Sequence, residues 1–485
     1  MRQRIVEPTV EPIPSGCIEA ELIGARLGDA RLSARLVSLG SCLAARPGQG
    51  LPESIGNDSQ LECSYRFLSN PRVTPHGMLQ PHYAQTYARI AQRNEALAVH
   101  DTTEMEFGGE RHGLGPLSSG SRRGFFMHVT LAVAADGSRQ PLGTLAHRTW
   151  TRVDQPRRKP DAKRLNGQAS SQRPDRESRR WAEQVQQVEA AKPPGVSLIH
   201  VGDRETDAFE MLEAVHPLRF VLRANHDRRV FDDGEPTHLR QASERAAVAL
   251  TLQVAVSPRK ARKQPGTAKA FPARDARIAR VAVRGLTVSL RQPYVRNGAS
   301  LQVNVVHASE IDPPQDTEPV DWVLYTSEPV DTPEQLQRVI DLYRARWVIE
   351  EFFKALKTGC EVQRLQLETY PALCNAVALQ LPIAWQVLLL RSLARVHPDA
   401  PAEQALTVTQ LKVLRAFSRR PLDDKPTVRQ AMLAIAILGG YLITKAKGDP
   451  GWITLGRGMR RLMDYEQGWV AAIAADRATK DPLEH

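Results

Sequence analysis

The pattern of apolar and polar positions changes character several times along the chain. Residues 1–15 show no period and read as a loose leader. From Ile18 to about Leu68 the pattern is helical: in ARLGDARLSARLVSLGSCLAA the residues Leu27, Leu32, Leu36 and Leu39 recur near the helical period, with Arg26, Arg31 and Arg35 on other faces. Pro and Gly in ARPGQGLPESIG break this helix, and SQLECSYRFLSN begins another. The middle alternates strand and helix. ALAVH is a short apolar run ending at Asp101. Phe125 to Ala134, an Asp136-Gly137 turn and Pro141 to Trp150 predict a β-hairpin. A helix follows near 177–191. Next come a buried strand from Val196 to Val201 ending at Asp203, a helix near 206–214, and the strand RFVLR. From about 226 the helical period disappears, and TLQVAV, ARVAV, LTVSL, LQVNVVHA and WVLYT predict a β-rich domain inserted before the last helices.

Thr332 opens the most informative segment. It suits an N-cap, Pro333 the first helical position, and Gln335 completes a capping box. The spacing predicts one helix running through YRARWVIEEFFKALK to about Lys357, ended by Gly359. On such a helix Tyr343, Arg346, Trp347, Glu350, Lys354 and Lys357 share an arc of about 100°, while Leu342, Ile349, Phe352, Phe353 and Leu356 form a core-facing stripe. Ordinary helix ion pairs would explain the charges alone. Grouping an aromatic pair with one carboxylate between cations suits a phosphodiester better: cations for phosphate, aromatics for a base, the acid for a metal.

Composition narrows the class. The chain has 485 residues, 42% hydrophobic and 25% charged, which disfavours general disorder and suggests two to four domains. Five cysteines, never spaced as CxxC, argue against a disulfide scaffold or a cysteine-built zinc site. The N-terminus lacks an apolar signal region, and the run Ala376 to Leu390 falls short of a membrane span, so the chain reads as cytoplasmic. Net charge is +11, and it is concentrated. Arg152 to Arg180 carries ten Lys or Arg against four acids, and Pro258 to Arg280 eight against one. Such loops on a near-neutral body attract a phosphate backbone, although solvated loops that aid solubility have the same composition.

Two-metal phosphoryl chemistry needs carboxylates that hold two hard cations. Asp101 and Asp203 after strands, with Glu350 on a helix, supply such a trio. Each strand-terminal Asp taken alone is an ordinary turn former or helix cap. Glu205 and Asp207 are nearby acids of lower rank. The order strand, hairpin, helix, strand, helix, strand, with acids after the first and fourth strands, suits a ribonuclease-H-like sheet in which those two strands are neighbours.

These residues carry a resemblance. YRARWVIEEFFKALKTG resembles the Y-x2-R-x3-E-x6-K signature of the insertion-sequence-4 family of bacterial DDE transposases, through Tyr343, Arg346, Glu350 and Lys357. HDTTEMEF and GDRETD are similar to its two aspartate motifs. LGDARLSARL, SYRFLSNPRVTP and GGYLITKAKGDPGW are similar to the terminal modules of the transposon-five-like branch. The resemblance spans about 18–476. It implies an α/β fold: a ribonuclease-H-like catalytic core over 73–225 and 322–370, with a β-rich insertion at 226–321. A helical DNA-binding domain at 16–72 and a helical dimerisation domain at 371–476 would flank that core. It further implies Mg2+ (or Mn2+) at Asp101, Asp203 and Glu350, and a phosphate grip by Tyr343, Arg346 and Lys357. Trp322, helped by Trp347, would stack on a flipped base, and Lys354 and Arg204 would add DNA contacts. The implied protein is a nucleoid-associated synaptic homodimer acting on terminal inverted repeats and target DNA. It would nick the element end, form a hairpin, reopen it and join the 3′ ends to the target. His100 and Phe353 depart from the family pattern without touching the carboxylates. Two other readings fit the same residues: a silent DNA-binding regulator of transposition, and a nuclease of the same fold that cuts without joining.

Overall fold

The computed structural model describes residues 18–119, 121–153, 177–263, 270–291, 300–315, 317–443 and 448–480. Most of the first basic run (154–176), a short part of the second (264–269) and the leader 1–15 lie outside the described residues, as does the end of the chain, 481–485. The chain divides into two units: Tyr83–Phe353 with Glu368–Tyr370, and the remainder, Met1–His82, Lys354–Leu367 and Pro371–His485.

The first of these is built on a sheet. Its strands are β1 (Glu95–Glu106), β2 (Gly115–Pro116), β3 (Arg123–Ala134), β4 (Pro141–Trp150), β5 (Ser197–Gly202), β6 (Arg219–Arg223), β7 (Arg229–Asp232), β8 (Glu235–His238), β9 (Val248–Val256), β10 (Arg262–Lys263), β11 (Ala270–Phe271), β12 (Arg277–Arg291), β13 (Ser300–Glu310) and β14 (Asp321–Thr326). Twelve of them form one mixed sheet, ordered β2-β3-β1-β5-β6-β14-β13-β12-β7-β8, with β4 also on β3 and β9 also on β12. The predicted hairpin is β3–β4, paired from Phe126↔Trp150 to Val133↔Pro141. β5 and β6 run parallel to β1, so the centre needs helical crossovers. The helix Glu177–Ala191 precedes β5, and the helix Phe209–Val215 joins β5 to β6. Both faces of the centre are covered, and β3 is buried along nearly its whole length.

Two sequence expectations change here. Apart from the small two-stranded ladder β10–β11, the β-rich stretch continues the central sheet. β14 pairs antiparallel with β6 through Leu324↔Arg223 to Thr326↔Val221, and β13 and β12 continue outward from it. Burial joins the two parts, since Phe220, Leu222, Val288, Val303 and Tyr325 share one apolar cluster. The stretch also contains a helix, Leu239–Arg245, too short for a helical period to register.

The other unit is helical. Ala30–Ala45 is capped by the Asp29 carboxylate and Asp58–Leu68 by the Asn57 side chain. Tyr370–Val396 is long and apolar enough to cross a membrane by length and composition, yet 94% of its apolar window is buried within the protein. Its Asn375 amide donates to the carbonyls of Leu68 (2.8 Å) and Val73 (3.0 Å), which pins the N-terminal helices to it. A second apolar helix runs Val428–Leu438, with Gly439 as its cap and Gly440 at φ +91°.

Candidate functional site: a carboxylate centre bridged by an arginine

The site begins with register. β1 and β5 pair in parallel from Glu95↔Ser197 to Val99↔Val201. Asp101 lies two residues beyond the last pair on β1, and Asp203 two residues beyond it on β5. Asp101 is not at a strand end as expected: β1 continues to Glu106 because β3 pairs with it up to Glu106↔Gly124. Asp203 does follow its strand. Its Oδ1 accepts the Glu205 N–H at 2.8 Å and caps the short 3-10 turn Arg204–Thr206. A cap and a site position are therefore not alternatives for Asp203.

The third acid comes from a helix whose course differs from expectation. The capping box of Thr332 and Gln335 is present, and the helix runs Pro333–Arg344. The chain then tightens: Arg346 N–H bonds the Tyr343 carbonyl at 3.0 Å and Val348 N–H the Ala345 carbonyl at 3.1 Å, both three-residue rather than four-residue spans. A new helix runs Trp347–Lys354 and passes into a π-helical turn, Ala355–Gly359. The continuous helix to Lys357 is corrected accordingly, and with it the shared arc. Tyr343 and Arg346 are buried at 4% and 5% exposure, whereas Trp347 is 57% exposed.

The break turns Arg346 inward, where it bridges two acids. One terminal nitrogen donates to Asp101 Oδ2 at 3.2 Å and the other to Glu350 Oε1 at 2.6 Å. Its Nε is buried and finds no acceptor among the described residues. Its guanidinium carbon lies 5.3 Å from the centre of the Trp347 ring, within cation–π range. Burial disfavours the Arg346 cation, but Tyr343, Asp101, Glu350 and Asp203 outweigh it and raise its pKa.

Asp101 reports the balance of charge. Its carboxyl is pushed up to about 7, by burial first and then by Asp203, with a smaller push from Glu350. Arg346 and the Thr102 N–H bond pull the other way. Three acids separated by 102 and 147 residues thus share one electrostatic environment. Among the described residues no three acids, histidines or cysteines already close around one point. Between Asp101 and Glu350 stands the guanidinium. The donors themselves are hard carboxylate oxygens carrying more negative charge than one arginine balances, which is the chemistry a divalent cation requires.

The remaining predicted residues are placed as follows. Trp322, on β14, is half-buried with its ring centre 5.9 Å from that of Tyr343. Arg204 is exposed on the turn beside Asp203; partial burial and then repulsion from Arg223 weaken its hold on its proton. Lys354 is exposed and Lys357 half-buried, and both belong to the helical unit rather than the sheet unit. Asp207 is structural: its buried carboxylate accepts two bonds from Arg228 and the N–H groups of Asn225 and His226.

Sequence reasoning missed a polar strip on the opposite face of the same strands. His100 Nε2 meets His200 Nδ1 at 2.9 Å, His200 Nε2 meets Glu189 Oε1 at 3.0 Å, and the Thr130 hydroxyl meets His100 Nδ1 at 3.0 Å. His128 bonds the Thr102 hydroxyl and stacks on His100 and Trp181. Each of β3, β1 and β5 contributes one buried histidine, a signal visible only once the register is known.

Comparison with known families agrees with this geometry. Residues 15–73 match the family described as Transposase DNA-binding, and residues 145–381 match the family described as Transposase DDE domain. The second match contains Asp203 and Glu350 and begins after Asp101. The chain is therefore similar to a transposase DNA-binding domain near its N-terminus and to a transposase DDE domain further on, which supports a DDE DNA transposase.

Proposed function

We propose that the protein is a cut-and-paste transposase of the insertion-sequence-4, transposon-five-like kind, with Asp101, Asp203 and Glu350 as its metal-holding catalytic acids. The observation that carries this reading is the coupling of those three carboxylates, drawn from two adjacent parallel strands and one helix. The strand order β4-β3-β1-β5-β6, with β1 central and β5 and β6 parallel to it, supports a ribonuclease-H-like core at 73–225 and 322–370. The segment 226–321 would be its insertion, 16–72 the end-binding domain and 371–476 the dimerisation domain. Asp101, Asp203 and Glu350 would hold Mg2+ (or Mn2+), which when bound supplies water activation and charge stabilisation at the scissile phosphate.

This chain's own residues then orient DNA. Arg346, Tyr343, Lys354, Lys357 and Arg204 hold phosphates, and Trp322 and Trp347 offer ring faces to an unstacked base. Water attacks the phosphodiester at the element end and frees a 3′-hydroxyl. That hydroxyl attacks the opposite strand, releasing flanking DNA and leaving a hairpin. A second water reopens the hairpin, and the 3′-hydroxyl attacks a phosphodiester in target DNA, displacing the target strand's own 3′-oxygen. A homodimer would synapse the two ends.

The test uses a plasmid carrying the coding region with its native flanks, and purified protein in Mg2+, Mn2+ or chelator. Metal-dependent cuts at inverted repeats are expected, and Glu350→Ala should abolish cutting while leaving end binding. Cleavage retained by that variant removes the site assignment. Binding without cutting in either metal points to a silent DNA-binding regulator. Cutting without joined products points to a nuclease of the same fold. Trp322→Ala should slow hairpin formation more than first-strand nicking, and equal loss at both steps counts against base flipping.

A further inference from the structure

We infer that Arg346 is the resident counter-cation of the carboxylate centre, exchanging with a divalent ion for Asp101 and Glu350, so that metal loading releases its guanidinium to a DNA phosphate. This rests on the reading that Asp101, Asp203 and Glu350 hold metal. The geometry makes the two occupants compete: the guanidinium already engages one oxygen of each acid, Asp101 Oδ2 at 3.2 Å and Glu350 Oε1 at 2.6 Å. Three carboxylates facing one guanidinium leave a formal charge of −2, which a divalent ion neutralises better than the arginine does. The guanidinium is also incompletely held, with Nε buried and without an acceptor among the described residues. Departure therefore costs no third hydrogen bond. The chain at Ala345 and Arg346 lies between two helices, so the side chain can swing without unwinding either. A planar fork leaving a carboxylate pair suits a phosphate equally well. Linkage then requires reciprocity: phosphate bound to Arg346 must tighten metal by the factor by which metal tightens phosphate.

The experiment reads metal binding without turnover, by loss of the free Mn2+ EPR signal in titrations of the full chain. Arg346→Gln is expected to bind Mn2+ at least about tenfold more tightly than the wild type. Arg346→Lys, whose single nitrogen cannot fork across both acids, should fall between them. Glu350→Gln should bind more weakly, and thermal melting of each variant controls for folding. Should Glu350→Gln weaken binding while Arg346→Gln and Arg346→Lys leave it unchanged or weaker, the exchange is overturned and the metal site stands. Should Glu350→Gln leave Mn2+ affinity unchanged, the metal reading fails and the exchange falls with it.

Discussion

Asp101 and Asp203 stand level with each other across β1 and β5. The parallel register keeps a constant offset of 102 residues from Glu95↔Ser197 to Val99↔Val201, and the same offset carried two residues further joins the two aspartates. Burial raises the Asp101 pKa first, and repulsion from the Asp203 carboxylate adds to it.

That repulsion predicts a site held at a cost to stability. The Asp101 carboxyl titrates near 7 in the folded chain against 3.8 ordinarily, so its contribution is full below about pH 4 and lost as pH rises through 7. In chelator, Asp101→Asn should therefore be more stable than the wild type at pH 8 by about 1–2 kcal/mol, with the gap narrowing below pH 7 and closing near pH 4. The same variant should not cleave DNA. An unchanged or lower melting temperature at pH 8 would refute the cost of holding Asp101 ionised.

Gly202 should be intolerant of a side chain. A Cβ there would stand 2.2 Å from the Thr206 methyl and 2.8 Å from its hydroxyl, which is itself bonded to the Asp203 carbonyl. Gly202→Ala should push the turn that presents Asp203 and reduce cleavage by about 100-fold. Adding Thr206→Ser, which deletes the clashing methyl, should recover part of the loss. Wild-type rates for Gly202→Ala alone would mean the turn does not set the position of Asp203.

Acid should unfold the sheet unit through its histidines. Burial holds His128 neutral down to about 3, and burial followed by His200 and His128 lowers His100 as well. In the unfolded chain both protonate near pH 6.5, so the unfolded state binds more protons below that pH. Stability should fall by about 1.4 kcal/mol per pH unit for each histidine on acidification below 6.5, opposite in sign to the Asp101 effect. Urea midpoints at pH 7.5, 6.0 and 5.0 measure this, and His128→Phe should flatten the slope. A slope that the substitution leaves unchanged would assign acid sensitivity elsewhere.

The seam between β6 and β14 should depend on Arg219. Its Nε and one terminal nitrogen donate to the two oxygens of buried Glu328, at 2.9 and 2.5 Å, while another nitrogen bonds Glu95. Arg219→Met leaves Glu328 only a distant Arg338 at 3.9 Å and should cost about 2–4 kcal/mol. Arg219→Met with Glu328→Leu should recover most of it. Full additivity of the two single substitutions in chemical denaturation would show that the pair is not coupled.

Much of this was legible because local signals agreed. The Asp136-Gly137 turn announced the β3–β4 hairpin, and Thr332, Pro333 and Gln335 announced a helix start that the structure repeats. The three acids were nameable because two followed apolar strand-like runs and the third sat in a distinctive helix. What stayed hidden was non-local. The helix break at Ala345 and Arg346 goes with a contact of Arg346 to Asp101, 245 residues away. His100, His128 and His200 look unrelated until register aligns them. The β-rich stretch offers strands in either arrangement, and only the β6–β14 pairing joins it to the central sheet.

That pairing has a consequence for a chain emerging from the ribosome. Asp101 and Asp203 can come together once β5 is made, but Glu350 follows 147 residues later, after β14 has closed a loop of about a hundred residues onto β6. At about 5–20 residues per second, some 7 to 30 s separate the second acid from the third. Throughout that interval the nascent protein holds two of the three proposed metal-holding acids and lacks the third. A fragment truncated before the helix Trp347–Lys354 lacks the third carboxylate, so under the proposed function it could not cut DNA.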